Sequence, residues 1–183
     1  MFDAQGWYQQ ARRCPSPHFN QRPAHLPISL LVIHNISLPA GVFGQPYIEA
    51  LFSGTLDCTC HPSFDSLRGL QVSSHFVIYR DGHIVQHVPV YERAWHAGQS
   101  VFQGQSNCND FSLGIELEGT DNQPYEQQQY QSLVGLSQAI LQICPAINLS
   151  RIVGHCDIAP GRKTDPGPAF DWPKFRGALR ELL

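Results

Sequence analysis

The apolar run at residues 28–33, ISLLVI, limits the possible folds more than any other segment of the chain. The run is nearly continuous and partly β-branched, which is typical of a strand that is buried on both faces. Such a strand belongs inside a sheet that other elements cover on both sides. The run stops at His34 and Asn35, so His34 is expected at the end of the strand.

Two further segments predict strands of the same sheet. Residues 75–80 and 84–88 form a predicted hairpin, because the Asp-Gly pair between them tolerates positive φ angles. Residues 112–119 alternate in the strand period, which puts Glu116 and Glu118 on one face. A shorter apolar pair just before His155 predicts one more strand.

Helical periodicity is present in three segments, at residues 46–53, 125–144 and 172–183. The inner face of the last helix is predicted to be formed by Phe175, Leu179 and either Leu182 or Leu183. Strands and helices alternate irregularly and include a hairpin. The expected fold class is therefore α/β of the α+β kind, with a central mixed β-sheet flanked by helices.

The length of 183 residues predicts a single domain over residues 1–183. Residues 1–27 are expected to be an irregular N-terminal segment, because four prolines occur in their second half. Residues 54–74 form an unusually long connection for a compact domain, and such connections are often binding loops or lids.

The formal charge of -3 provides no basic surface for nucleic acid or anionic lipid. No stretch approaches the roughly 18 apolar residues of a membrane span, and the first residues do not read as a secretory signal. A cytoplasmic protein is therefore expected. In that compartment the six cysteines are expected to be free thiols.

Two histidines predict a metal site, because His34 and His155 each follow a short apolar strand and neighbouring strand ends can converge. Zinc accepts imidazole nitrogen and carboxylate oxygen, and catalytic zinc typically keeps three protein ligands and one open position. Asp165 can supply the third ligand, because a Pro-Gly pair allows the chain to turn back after His155. Asp157 is a competing candidate.

Lys163 and Glu116 supply the remaining chemistry of a metal-assisted hydrolysis. If residues 163–165 are extended, Lys163 lies on the same side as Asp165 and can face an oxyanion. Glu116 can take a proton from a water whose pKa the zinc has lowered. Each signal is weak alone, because a histidine at a strand end is more often structural and paired glutamates usually face solvent.

Rival chemistries fit the sequence less well. Cys58, Cys60 and His61 lack the spacing of a structural zinc site and a second Cys/His cluster. Cys156 adjoins His155, but neighbours on an extended strand point to opposite faces, so this histidine cannot easily activate this thiol. No Gly-x-Ser-x-Gly turn and no phosphate-binding glycine loop is present.

Five longer motifs carry a resemblance to a known family. They are VIHNISLP, SSHFVIYRDGHIVQHV, RAWHAGQS, NDFSLGIELEGTD and GHCDIAPGRKTDPGPAFDW. Over nearly its whole length the chain resembles the zinc N-acetylmuramoyl-L-alanine amidases of the second type, and among them the short cytoplasmic amidases that recycle anhydromuramyl peptides. The resemblance implies a mixed β-sheet with helices around it, a muropeptide substrate, and an indirect effect on β-lactamase induction.

The resemblance also implies the zinc ligands and the catalytic pair. The ligands of the single zinc ion fall on His34, His155 and Asp165, which removes Asp157 as a ligand. The catalytic pair falls on Glu116 and Lys163.

The implied reaction is hydrolysis of the amide between the lactyl group of N-acetylmuramic acid and L-alanine. Zinc polarises the carbonyl and carries the water, Glu116 deprotonates the water and returns the proton to the leaving amine, and Lys163 and zinc stabilise the oxyanion.

Three more residues are predicted to contact the substrate. Trp95 offers a flat face for the sugar or the stem peptide, Arg162 a bidentate donor for a peptide carboxylate, and Asn35 a donor beside the zinc. His75 is expected to be structural, because a fourth ligand would close the position that water needs. No nucleic acid, membrane or obligate protein partner is implied.

Two other functions are alternatives at this point. The first is a non-catalytic module of the same fold that binds peptidoglycan fragments; such modules commonly lack a zinc ligand, whereas all three positions are filled here. The second is a thiol hydrolase that uses Cys156.

Overall fold

Ten strands and four α-helices form the regular structure in the computed structural model, which describes all residues from Met1 to Leu183. The strands are β1 (Arg12–Arg13), β2 (Phe19–Asn20), β3 (Leu30–Ile36), β4 (Phe76–Ile78), β5 (Ile84–Gln86), β6 (Arg93–Ala94), β7 (Val101–Phe102), β8 (Gln105–Ser106), β9 (Ser112–Glu118) and β10 (Ile152–Gly154). The α-helices are α1 (Tyr47–Phe52), α2 (Gln127–Ile143), α3 (His155–Ile158) and α4 (Trp172–Arg180). Three 3-10 helices cover Pro62–Leu67, Cys108–Asp110 and Leu149–Arg151.

Six strands form the central sheet in the order β1-β5-β4-β9-β3-β10. Strands β4, β9, β3 and β10 are parallel to one another, whereas β5 runs antiparallel to β4. The expected mixed sheet is thus confirmed, including its hairpin between β4 and β5. Strands β2 with β6 and β7 with β8 form two separate small ribbons.

The two faces of the sheet carry different covers. Odd-numbered residues of β3, such as Leu31 and Ile33, pack in one apolar cluster with residues of α2 and α4. Even-numbered residues, such as Leu30 and Val32, pack on the other side against loops that include Ala97. Since side chains alternate along a strand, His34 lies on the second face, directly beyond Val32.

Three boundaries differ from the prediction. Strand β3 continues to Ile36, so His34 lies within the strand because β9 pairs with it along its whole length. His155 is the first residue of helix α3 and does not belong to the preceding strand. Helix α4 ends at Arg180, which leaves Leu182 and Leu183 48% and 67% exposed, so their predicted inner position is wrong.

The N-terminal segment and the long connection both contain regular structure. Within residues 1–27, β1 extends the sheet by pairing with β5. Within residues 54–74, the 3-10 helix Pro62–Leu67 buries Phe64 completely. No helix combines the length and apolar character needed to cross a bilayer.

Candidate metal centre

Three adjacent strands bring the central side chains of the site together. His34 on β3 lies directly opposite Glu116 on β9 in the strand register. Strand β10 pairs with β3 through Gly154 and Ile33, and His155 follows at once. The pairing of these strands therefore brings three residues that are far apart in sequence to one edge of the sheet.

The three predicted ligands meet at a single point. His34 Nδ1 lies 2.9 Å from His155 Nδ1 and 3.1 Å from Asp165 Oδ2, and His155 Nδ1 lies 3.0 Å from the same oxygen. The loop after α3 returns to the site because the Cys156 amide donates to the Asp165 carbonyl. The geometry thus brings together the residues predicted as ligands.

The donor set fits a zinc ion. Three lone-pair-bearing atoms at about 3 Å repel one another unless a proton or a metal cation lies among them. Two imidazole nitrogens and one carboxylate oxygen are ligands that zinc accepts in catalytic sites. Asp157 is excluded from this group, because its carboxylate accepts a hydrogen bond from the Gly154 amide at the start of α3.

The electrostatics favour the metal-binding protonation states. Burial lowers the pKa of His34 to about 4, so its ring is neutral at pH 7. Burial opposes the ionisation of Asp165, but the contacts with His155 and His34 outweigh it and hold the pKa of that carboxyl well below its usual range. Metal ligands must be deprotonated, and these two residues meet that condition.

Glu116 is the acidic residue of the site that has an oxygen without a hydrogen-bond partner. The residue is 8% exposed, and its buried Oε2 has no hydrogen-bond partner. Burial and the nearby Asp165 carboxylate raise the pKa of Glu116 well above its usual range, whereas Lys163 lowers it. The neighbouring carboxylate on the same face differs, since Glu118 accepts bonds from the Gly44 and Arg80 amides.

The site opens into two adjoining clefts. One cleft of about 270 Å³ is lined by the three ligands together with Glu116, Lys163 and Trp95. Its apolar wall includes three residues of the 54–74 connection, namely Leu67, Leu70 and Val72. A second cleft of about 500 Å³ contains Asn35, Arg162, Lys163 and Asp165. The clefts therefore meet at the metal centre.

Each predicted substrate-binding residue is close to these clefts, but each already has partners. The Trp95 indole donates to Asn20 and stacks on His18. Asn35 Nδ2 donates to Asp121 and to the Pro166 carbonyl, so donation to a substrate requires one of these bonds to break.

Arg162 is also bound within the protein. Its Nε and Nη2 donate to the Gln99 carbonyl, and Nη2 also donates to the Ala97 carbonyl, which leaves only Nη1 for a ligand. Its role towards a peptide carboxylate stays a prediction.

The prediction that His155 and Cys156 point to opposite faces of an extended strand is wrong, because both residues lie in the first turn of helix α3. Burial together with the Asp157 and Asp165 carboxylates raises the pKa of the Cys156 thiol, which disfavours the reactive thiolate.

His75 lies outside the ligand group: its Nδ1 accepts from the Gly114 amide and its Nε2 contacts Arg22. All six cysteines are unpaired.

The sequence reasoning missed His96, whose Nδ1 lies 2.9 Å from Nε2 of His34. One signal could have pointed to it. Gly114 lies on the buried face of β9, and a glycine inside a strand often marks the close approach of another group. A Cβ atom at this position would lie 2.6 Å from His96 Cγ.

Comparisons with known proteins identify the family of this chain. The family model described as N-acetylmuramoyl-L-alanine amidase matches residues 24–168. The 1,6-anhydro-N-acetylmuramyl-L-alanine amidase AmpD of Escherichia coli K12 is 57% identical over 172 residues, which are 94% of this chain and 93% of that protein. AmpD of Citrobacter freundii is 56% identical over 96% of this chain and 93% of its own.

Solved structures give the same result. A crystal structure of a selenomethionine derivative of AmpD superposes with a TM-score of 0.95 at 55% identity, over 98% of this chain and 99% of that one. A complex of E. coli AmiD with its substrate anhydro-N-acetylmuramic acid-L-Ala-D-γ-Glu-L-Lys superposes with a TM-score of 0.62 at 34% identity, over 87% and 60% of the two chains. On the family match and the AmpD identities together, this chain belongs to the N-acetylmuramoyl-L-alanine amidase family.

Proposed function

We propose that this protein hydrolyses the amide bond between the lactyl group of 1,6-anhydro-N-acetylmuramic acid and the L-alanine of a stem peptide. The observation that carries the proposal is the convergence of three metal-binding side chains with an unpartnered carboxylate, Glu116, at one cleft. AmpD relatives that are 55–57% identical to this chain are named for this activity. AmpDh3 of Pseudomonas aeruginosa has been solved with an anhydromuramic pentapeptide, which supports a muropeptide as the substrate.

His34, His155 and Asp165 would hold one zinc ion through Nδ1, Nδ1 and Oδ2. When bound, zinc supplies Lewis acidity towards a substrate carbonyl and makes a water nucleophilic at neutral pH. Within this ligand set His34 contributes a neutral ring and Asp165 a negative charge, which are the protonation states that bind a metal cation.

Glu116 acts as the general base in this proposal. Glu116 lines the cleft, and its Oε2 has no partner within the protein; this carboxylate accepts the proton of the attacking water, and the same carboxyl then donates a proton to the leaving amine of L-alanine. Burial raises the pKa of Glu116 and so favours its protonated form, whereas the Lys163 ammonium lowers that pKa and favours the ionised form. A cation among the ligands acts in the same direction as Lys163.

Lys163 stabilises the oxyanion that develops during attack. Its side chain lines both clefts and forms no hydrogen bond or ion pair within the protein. A free ammonium of this kind is available to a developing negative charge and need not break a bond to reach it. Trp95, Asn35 and Arg162 would contact the sugar and peptide from the rims of the clefts.

A cytoplasmic role in peptidoglycan recycling completes the proposal. Six unpaired cysteines are consistent with a reducing compartment. Hydrolysis of anhydromuramyl peptides there would lower their concentration and so affect β-lactamase induction indirectly. Residues 1–183 would act as one catalytic domain, with the 54–74 connection flanking the substrate.

The test is direct. Zinc-loaded protein is incubated with anhydromuramyl tripeptide, with and without a chelator, and the products are separated and identified. We expect free tripeptide and anhydro-N-acetylmuramic acid without chelator and unchanged substrate with it. Binding of the tripeptide without turnover by fully zinc-loaded protein would support the non-catalytic module instead. Turnover that resists the chelator but is lost in Cys156→Ser would support the thiol hydrolase.

A further inference from the structure

His96 and Ala97 contact both metal-binding histidines on the sides that face away from Asp165. His96 Nδ1 lies 2.9 Å from His34 Nε2, and the Ala97 carbonyl oxygen lies 3.1 Å from His155 Nε2. We propose that this dipeptide is a positioning element, which holds both imidazoles with their Nδ1 lone pairs directed at the metal. The inference rests on the proposed metal-binding function and adds a role for residues that are not ligands.

The contact at His155 determines which nitrogen carries the proton. A backbone carbonyl only accepts hydrogen bonds, so Nε2 of His155 must be the donor. In the neutral ring Nδ1 is then the unprotonated nitrogen, and it is the atom that faces His34 and Asp165. Such a bond from the second ring nitrogen typically fixes both the tautomer and the ring orientation of a metal-binding histidine.

The contact at His34 continues into a chain of hydrogen bonds. If Nδ1 of His34 binds the metal, its Nε2 carries the proton and donates to His96 Nδ1. His96 must then carry its own proton on Nε2, which lies 3.1 Å from Ser112 Oγ. In this direction each member of the chain has one donor and one acceptor role, and the Nδ1 lone pair of His34 is left for the metal.

The dipeptide is itself fixed in place. The side-chain oxygen of Asn109 accepts from the amides of both His96 and Ala97, at 3.1 and 2.8 Å. Gly114 leaves the space that the His96 ring occupies, since a Cβ there would lie 2.6 Å from Cγ and 2.7 Å from Nδ1. The element is therefore held by its backbone on one side and fitted against β9 on the other.

Arg162 also belongs to this element. Its Nη2 donates to the Ala97 carbonyl at 2.7 Å, so this oxygen accepts from Arg162 and from His155 together. A carbonyl oxygen has two lone pairs and can serve both donors. The position of Arg162 is thus explained by support of the Ala97 carbonyl.

The test uses the full zinc-loaded chain and needs no substrate. Zinc affinity is measured by competition with a chromophoric chelator in wild type, His96→Leu and His96→Asn. Leucine removes the acceptor, whereas the asparagine oxygen lies where Nδ1 of histidine would be. We expect His96→Leu to weaken zinc binding by about 10- to 100-fold, the range for loss of such an outer partner. His96→Asn should restore most of this loss.

Nuclear magnetic resonance of the histidine nitrogens measures the solvent exchange of the Nε2–H protons. This exchange would not change at His34 alone if His96 only supported the fold. In zinc-loaded wild type, both His34 and His155 should show slowly exchanging Nε2–H protons. In His96→Leu the His34 signal should be lost to solvent exchange, while that of His155 persists, because its partner is a backbone carbonyl. His155 is thus an internal control for folding and metal loading.

Clear outcomes would overturn the inference. Unchanged zinc affinity in His96→Leu, or an equally protected His34 proton, would show that His96 does not hold the ring. If His96→Leu fails to fold, Ser112→Ala tests the same chain: faster exchange of the His34 proton supports it, and unchanged exchange refutes it. Since no substrate is used, absence of amidase activity would refute the proposed function alone.

Discussion

Replacement of Gly114 by alanine adds one methyl group beside the metal centre and so tests how tightly His96 is packed there. The added Cβ would lie 2.6 Å from His96 Cγ, 2.7 Å from His96 Nδ1 and 2.8 Å from Ser74 Oγ. All three distances are far below the normal carbon contact of about 3.5–4.0 Å. Either the His96 ring or strand β9 has to move, and each movement disturbs the contact between His96 and His34.

The size of the effect follows from two opposing terms. Overpacking of a filled site typically costs about 1–3 kcal/mol. Alanine restricts the unfolded chain more than glycine does, which returns about 0.5–1 kcal/mol. The net loss of unfolding free energy should be about 0–2.5 kcal/mol, which corresponds to a fall of up to about 10 °C in Tm for a chain of this length. Zinc affinity should fall as well, by about 10- to 100-fold if the His96 contact is broken.

The measurement is urea unfolding of metal-free Gly114→Ala, followed by chelator competition for zinc. Gly135→Ala is the matched control, because Gly135 lies within helix α2 and a Cβ there meets nothing within 4 Å. Alanine favours a helix interior by about 1 kcal/mol over glycine, so the control should be stabilised with unchanged zinc affinity. A Gly114→Ala protein with wild-type stability and wild-type zinc affinity would refute the reasoning.

Three further predictions concern the catalytic pair. Glu116→Gln should lower kcat by about 10²- to 10⁴-fold with one zinc still bound per chain, measured by turnover and metal analysis; loss of zinc would show that Glu116 is a ligand. Lys163→Ala should lower kcat by about 10²- to 10³-fold with little change in KM, and a change confined to KM would contradict its role at the oxyanion. The third prediction concerns stability against pH in the metal-free protein, where burial raises the pKa of Glu116 above its ordinary 4.5. The stability that protonated Glu116 contributes is then fully present below pH 4.5 and is lost as the pH rises through the pKa of Glu116 in the folded state. Glutamine cannot ionise, so Glu116→Gln should resist urea better than wild type at pH 8 but not at pH 4.

Much of the site could be predicted because its residues lie beside strong strand patterns. His34 directly follows an apolar run and Glu116 lies within an alternating one, so their elements were predictable from periodicity alone. The ends of the elements were less predictable. His155 begins a short helix because the Asp157 carboxylate caps the Gly154 amide, and that bond competes with continuation of the strand.

The positioning element could not be predicted for a different physical reason. Ala97 acts through its backbone carbonyl. Every residue type has the same carbonyl oxygen, so the identity of the residue at this position does not reveal the role. His96 lies on a loop with no periodic pattern, and its partner His34 is 62 residues earlier in the chain. The pairing of β3 with β9 places Gly114 next to β3, and the His96 ring occupies the space that the missing Gly114 side chain leaves. Residues that present a group to the metal can be recognised by their chemistry, whereas residues that orient the presenting group are recognised only once the neighbouring strands are in place.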